Sequence, residues 1–225
     1  NGTPTVTVSN NAIVRANGSA GGITSDFSTG VQVGAGTVES GGIVFDGNTG
    51  TVYGNVTLQE NLEIGEGESL TIGDGASLNT GSHEVIVNGG TLTGEVNGQQ
   101  SPQITTPPQS QIVTEGESAT FTIEASGSEP LSYQWQESTD SGSNWKSIAG
   151  ATSTSYEIAT TSTDMSDHQY RCVVTASGVS VVSDAATLTV NAPTTYTISA
   201  DVDPVGAGTV SGGGKYTAGT SVTLT

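Results

Sequence analysis

Cys172 is the only cysteine of this 225-residue chain, and it closes the run Tyr170-Arg171-Cys172, about 35 residues beyond Trp135. With no second thiol, no disulfide can form within the chain, so the core around these residues must be held by packing alone. Alternate residues of a strand share a face, which puts Tyr170 and Cys172 on one side of their strand. The expectation is that both point inward against Trp135. A thiol buried there is a small apolar core group, not a reactive nucleophile. Cys172 is therefore read as structural.

The rest of the composition fits short strands joined by tight turns. Hydrophobic residues make up 32%, and 32 glycines accompany abundant Thr, Ser and Val. No stretch carries a helical period of useful length, so the fold class is all-β. A chain of this size holds one to three small domains.

Charge excludes two classes of partner. Arg15, Lys146, Arg171 and Lys215 face 22 acidic residues, for a formal charge of −18. A nucleic-acid binder needs clustered cations to displace counterions from phosphate, and these four are scattered. The same field repels anionic membrane surfaces. No apolar run approaches the roughly 18 residues of a membrane span. No signal peptide opens the sequence, and the expectation is a chain that follows a removed leader. Asn1, Asn17 and Asn55 begin N-x-Ser/Thr sequences, which a chain so rich in Ser and Thr produces by chance.

Three textures divide the chain into 1–100, 101–192 and 193–225. The first is rich in Gly, Asn and Thr. From Val56 its apolar residues recur in close pairs: Val56/Leu58, Leu62/Ile64, Leu70/Ile72, Leu78, Val85/Val87 and Leu92. Alternation within each pair is that of a strand with one buried face. Gly65-Glu66-Gly67, Gly73-Asp74-Gly75 and Asn88-Gly89-Gly90 supply sharp corners between them. Two architectures fit: the stacked rungs of a small β-solenoid, or a sandwich with short hairpins. The run Thr51-Val52-Tyr53-Gly54-Asn55-Val56-Thr57-Leu58, with Leu62 through Ile72, resembles segments common in bacterial surface proteins.

Prolines at 102, 107 and 108 mark a linker running into an edge strand. Beyond it, strands are predicted over 110–114, 118–125, 131–137, 145–148, 154–159, 168–176 and 179–190. Their inward residues are Phe121, Ile123, Tyr133, Trp135, Tyr156, Ile158, Tyr170, Cys172, Val174, Leu188 and Val190. Residues 102–191 resemble the bacterial immunoglobulin-like domains of modular extracellular proteins. The resemblance rests on Val113-Thr114-Glu115-Gly116-Glu117, Tyr133-Gln134-Trp135-Gln136, Tyr156-Glu157-Ile158 and Asp167 through Cys172. It implies a seven-strand sandwich in which Ile123 stands where the family's partner cysteine would be. After Asn191-Ala192-Pro193, the stretch Tyr196 to Ala200, then Gly206 to Val210 and Val222-Thr223-Leu224-Thr225, resembles the divergent internalin-type B repeat of bacterial adhesins and cell-wall proteins. That unit normally continues past its Thr-Leu-Thr strand, so the expectation is a fragment of a longer protein.

Candidate chemistry is sparse. His83 and His168 fall in different segments, and neither belongs to a metal-binding or nucleophilic pattern. No pair among the many carboxylates is marked out for glycoside cleavage. Asp46-Gly47-Asn48-Thr49-Gly50 is a partial calcium loop lacking the distal Glu; Asp46 and Asn48 are its ligands if calcium binds, and otherwise a good turn. Asp201, Asp203, Asp164 and Asp167 are weaker versions of the same idea. Lys146 is placed in an exposed loop and Lys215 in a Gly-rich turn. Trp145 is the aromatic that could stack on a sugar, with packing over the sheet edge as the alternative.

The functional expectation is a monomeric, non-catalytic, extracellular segment of a bacterial surface or cell-wall protein, an adhesin stalk or interaction module meeting other proteins or glycans. The alternatives are a carbohydrate-binding module, or an accessory region of a secreted glycan-degrading enzyme.

Overall fold

The computed structural model describes residues 12–16, 42–202 and 208–225. Asn1, Asn17, Asp203, Gly206 and Ala207 lie outside these, as does the side chain of Asp46. Strands dominate throughout, and a single 3-10 turn at Thr163–Met165 is the one helical element among the described residues. The chain is all-β.

The first region opens with β1 (Ala12–Ala16), β2 (Gly42–Asp46) and β3 (Thr49–Tyr53), and continues with β4 (Asn55–Thr57) and β5 (Leu62–Ile64). A second turn of chain repeats the last three strands as β6 (Ser69–Ile72), β7 (Ser77–Asn79) and β8 (Val85–Asn88). A third begins with β9 (Thr91–Thr93) and β10 (Glu95–Val96), then reverses into β11 (Gln99–Gln100). Strands of successive turns pair in parallel: β3 with β6 and β6 with β9, β4 with β7 and β7 with β10, β5 with β8. In register, Val56 stands over Leu78 and Leu78 over Val96, and Leu62 stands over Val85. These residues are all buried, together with Val52, Leu58, Ile64, Leu70, Val87 and Leu92, in one aliphatic core. Ile72 is partly buried against it. Among the described residues of this region, antiparallel pairing is confined to β2–β3 and β10–β11. Gly50 is dictated by packing, because a Cβ there would sit 2.6 Å from the Phe45 ring.

The second region comprises β12 (Gln103–Thr106), β13 (Gln111–Thr114), β14 (Ala119–Thr122), β15 (Glu124–Ser126), β16 (Ser132–Ser138), β17 (Lys146–Ser147), β18 (Ser155–Ile158), β19 (Gln169–Ala176), β20 (Val179–Val182) and β21 (Ala186–Asn191). One sheet carries β17, β16, β19 and β20–β21, with β13 parallel to β21; the facing layer is β14 with β18 and β15 with β12. This is an immunoglobulin-like sandwich. Three expectations need correction. Residues 103–106 are a paired strand, not linker, because the flanking prolines still leave four donors free between them. The strand expected at 118–125 breaks at Ile123, and that at 179–190 breaks at 183–185, where Ser183 accepts and donates across to Cys172.

The chain ends in β22 (Thr195–Ile198) and β23 (Gly214–Thr217), paired antiparallel. Lys215 lies in β23, not in a turn. The strand expected at 222–225 is absent: Thr225 exchanges two hydrogen bonds with Ser211, but Leu224 stays 47% exposed, with no core beneath to hold an extended ladder.

Candidate functional site

Register places the sandwich centre. Trp135 faces Cys172 and Glu137 faces Tyr170 across β16 and β19. Trp135, Tyr170, Cys172 and Ile123 are each at most 2% exposed. Phe121 stacks on Tyr170 with centroids 4.8 Å apart, and Tyr156 bridges Trp135 and Tyr170 at 6.2 and 5.8 Å. The Trp135 indole N–H donates to the Ser153 carbonyl at 2.9 Å, so the one polar atom of that ring is satisfied. Burial pushes the Cys172 thiol up to about 11, which keeps it protonated and unreactive near neutrality. Ile123 fills the same apolar cluster as Cys172.

Glu137 was not legible as a key residue. Its Oε1 accepts the Tyr170 hydroxyl at 2.9 Å and lies 3.0 Å from His168 Nδ1. Burial first, then the bond to Glu137, raises the Tyr170 hydroxyl well above its ordinary range; burial and the Glu137 charge also raise Tyr156. The carboxylate thus plugs the end of the aromatic core. The signal was the alternation itself, since Glu137 follows Trp135 by two at the end of the strand predicted over 131–137, which the structure places one residue later at Ser132–Ser138.

Trp145 is half-buried, and the Arg171 guanidinium lies 4.1 Å from its ring centroid. Arg171 Nε in turn donates to Gln136 Oε1 at 2.8 Å, locking the cation over the indole. One face of Trp145 is thereby committed to packing. Beside it, Asp140 organises the loop after β16: its carboxylate accepts from the Asn144 side chain and main chain at 2.6 and 2.8 Å and from the Ser138 hydroxyl at 2.8 Å. Those bonds hold its carboxyl down at about 2.

Asp46 pairs with Thr49 around the two-residue turn Gly47-Asn48. The Asn48 side chain is exposed, and the Asn48 main-chain carbonyl accepts the Ser69 N–H at 2.8 Å. Among the described residues no group of three His, Cys, Asp or Glu converges as a metal would need. His83 sits in the turn after β7, its N–H donating to the Thr80 carbonyl, far in sequence and in element from His168.

The unforeseen feature is the junction. β20 leaves β19 through the turn Ser177-Gly178, both residues at positive φ, the twist-matched form for a two-residue hairpin. It then lies parallel on β8, with Val179 beside Val85 and Val181 beside Val87. Val179 is fully buried in the aliphatic core of the first region. Polar groups fasten the edge: Asn97 bonds Thr80 twice at 2.9 Å and donates to the Ser177 carbonyl at 2.6 Å, while Ser177 bonds Gln99 and Ser180 bonds Glu84. One sheet therefore runs from β17 through β16, β19, β20 and β8 to β5. No residue pattern within the hairpin announces this, because Val-Ser-Val-Val serves equally as an ordinary sheet edge.

Residues 102–192 match a family described as a domain of unknown function, DUF8696. Endoglucanase C of Cellulomonas fimi is 40% identical over 105 residues, covering 45% of this chain and 9% of that protein, so the chain spans less than a tenth of the relative's length. Among solved structures, Sidekick-1 immunoglobulin domains 1–5 are similar over 43% of this chain and 19% of that one, at 23% identity and a TM-score of 0.34. The tandem immunoglobulin repeats of Dlar are similar over 40% and 48%, at 18% identity and a TM-score of 0.34. No helix among the described residues is long and apolar enough to cross a membrane.

Proposed function

We propose that this chain is a non-catalytic accessory region of a secreted bacterial protein, a stiff segment that sets the distance and orientation of neighbouring domains. The observation that carries this reading is β20, one strand shared by the sheet of the sandwich and the ladder of the coil. A flexible linker lets modules turn independently, whereas a shared strand makes relative rotation break main-chain hydrogen bonds. On this reading 1–100 is a small β-solenoid whose end is completed by the sandwich of 101–192, and 193–225 begins an internalin-type repeat.

The match to an endoglucanase favours a glycan-degrading enzyme as the parent protein over a surface adhesin, and either places the segment outside the cell. The polar side chains support a structural role. Glu137 is engaged with Tyr170 and His168, Asp140 with its own loop, and Trp145 with Arg171. NMR relaxation of the full chain tests the reading. Amides of β5–β8 and of β16–β19 should share one rotational diffusion tensor. Separate tensors for the two regions would overturn it.

A further inference from the structure

The three ladders of the coil end in different ways. That of β8 passes into β20, and that of β10 is closed by β11. The third ends on β9, beyond which no strand lies among the described residues. The Thr91 N–H donates to the Glu68 carbonyl at 2.9 Å, so Thr91 turns its main-chain groups toward β6. Successive residues of a strand direct these groups to opposite sides, which leaves the N–H and C=O of Leu92 facing away from β6. Beside this free edge is a cleft of about 520 Å³ bordered by Leu92, Val87, Ile104, Pro107, Val181 and Asp184. Its far wall includes β12, whose one partner among the described residues is β15. Ser101 also borders the cleft; it is 5% exposed, and its hydroxyl has no hydrogen-bond partner among the described residues.

We propose that this cleft is a strand-acceptor site, in which an extended peptide of a partner protein adds to β9 and completes its ladder as β20 completes that of β8. Strand addition draws affinity from main-chain hydrogen bonds and selectivity from the pockets under alternate side chains. The pocket beside Leu92 is walled by Val, Ile and Pro, so the central side chain of the incoming strand is aliphatic. Its flanks are basic, because Asp184 stands on the wall, Glu95 borders the adjoining recess, and the chain carries a formal charge of −18. A glycan fits less well, since no aromatic ring borders the cleft to stack on a sugar face. The site adds a binding activity to the spacer reading and does not depend on it.

The test uses the full chain and a pool of Lys-flanked heptapeptides alternating Thr with Val, Ile or Leu. Saturable binding is expected, with hydrogen exchange of the Leu92 amide slowed by about tenfold or more. Peptides N-methylated on the edge that would face β9 should not bind, and Asp184→Lys should weaken the Lys-flanked pool while leaving the fold intact by circular dichroism. Three results would each overturn the proposal: N-methylated peptides binding equally well, a Leu92 amide already protected in the free monomer or only at high protein concentration, and protection by cellohexaose but not by peptide.

Discussion

The coil and the sandwich bury similar numbers of side chains in opposite ways. The sandwich closes on an aromatic centre of Phe121, Trp135, Tyr156 and Tyr170, drawn from strands far apart in sequence. The coil stacks mainly aliphatic residues of successive turns on one another, Val56 on Leu78 on Val96 and Leu62 on Val85 among them. A stack of this kind has ends, and an end leaves apolar residues and unpaired main chain in water. The sandwich has no such need, because its two layers cover each other. Dependence should therefore run one way: the coil leans on the sandwich through β20.

Truncation gives the largest effect. Residues 101–192 alone should fold with native-like near-ultraviolet dichroism, whereas residues 1–100 alone should lose cooperative unfolding, since Val85 and Val87 lose the cover of Val179 and Val181. Burying one valine contributes roughly 1.5–3 kcal/mol, a large share of what a few short turns can muster. A coil that unfolds cooperatively without the sandwich would end the one-way picture.

Trp135→Ala comes next. Truncating a buried aromatic costs about 3–5 kcal/mol, and here the Ser153 carbonyl also loses its donor. Urea unfolding should show one transition, shifted for both regions, because a loosened β19 cannot hold β20 on β8. Two separate midpoints would show that the regions unfold independently.

Gly178→Ala sharpens the comparison at the joint itself. Gly178 has a φ of +80°, and a Cβ there would come within 2.5 Å of Thr80 Oγ1. The left-handed backbone costs about 1–2 kcal/mol, and crowding adds to it. Amide exchange should rise in β5 and β8 before it rises at Trp135 or Cys172. The opposite order would place the coupling elsewhere.

The sandwich was legible because its signals are local and heterogeneous. Trp135, the Tyr170-Arg171-Cys172 run and turn-bounded alternation located most of its strands, though not β12 or the breaks at Ile123 and at 183–185, and the inward set is buried apart from the half-covered Tyr133 and Tyr156. The apolar pairs of the coil were equally visible, but alternation reports which face is buried and not which strand lies alongside, so two architectures stayed open. The junction was silent for the same reason. Val179 and Val181 read as sandwich residues, and only pairing in space assigns them to the coil. Glu137 hid behind its charge, because a carboxylate at an inward position earns its place only through Tyr170 and His168, whose approach no sequence pattern states.

Cys172→Ala probes the sandwich core more gently. Removing one buried sulfur should cost roughly 1–2 kcal/mol, below the 2–5 kcal/mol typical of losing a disulfide. A thiol reagent at pH 8 should leave the folded protein unmodified, since burial holds the thiol at about 11. Rapid labelling without unfolding would show that β14 and β19 part more readily than their packing implies.

Asp140 sets the smallest effect, and its sign follows from its bonds. The Asn144 side chain, the Asn144 N–H and the Ser138 hydroxyl favour the ionised carboxylate and hold it at about 2 instead of its ordinary 3.8. A carboxyl depressed in the folded state contributes its stabilisation in full above the unfolded value and loses it as pH falls from there through the folded one. The loop 138–145 should therefore keep its shape at pH 4 and loosen between about 4 and 2. Loosening here frees Asn144, next to Trp145, so indole fluorescence should change over that window while the β5–β8 amides stay unchanged. Asp140→Asn should abolish the transition, because a neutral amide keeps an acceptor but has no proton to gain. A carboxyl titrating near its ordinary value by NMR would mean that the loop bonds do not persist in solution, and the contact of Trp145 with Arg171 would then have to be held from the sheet side alone.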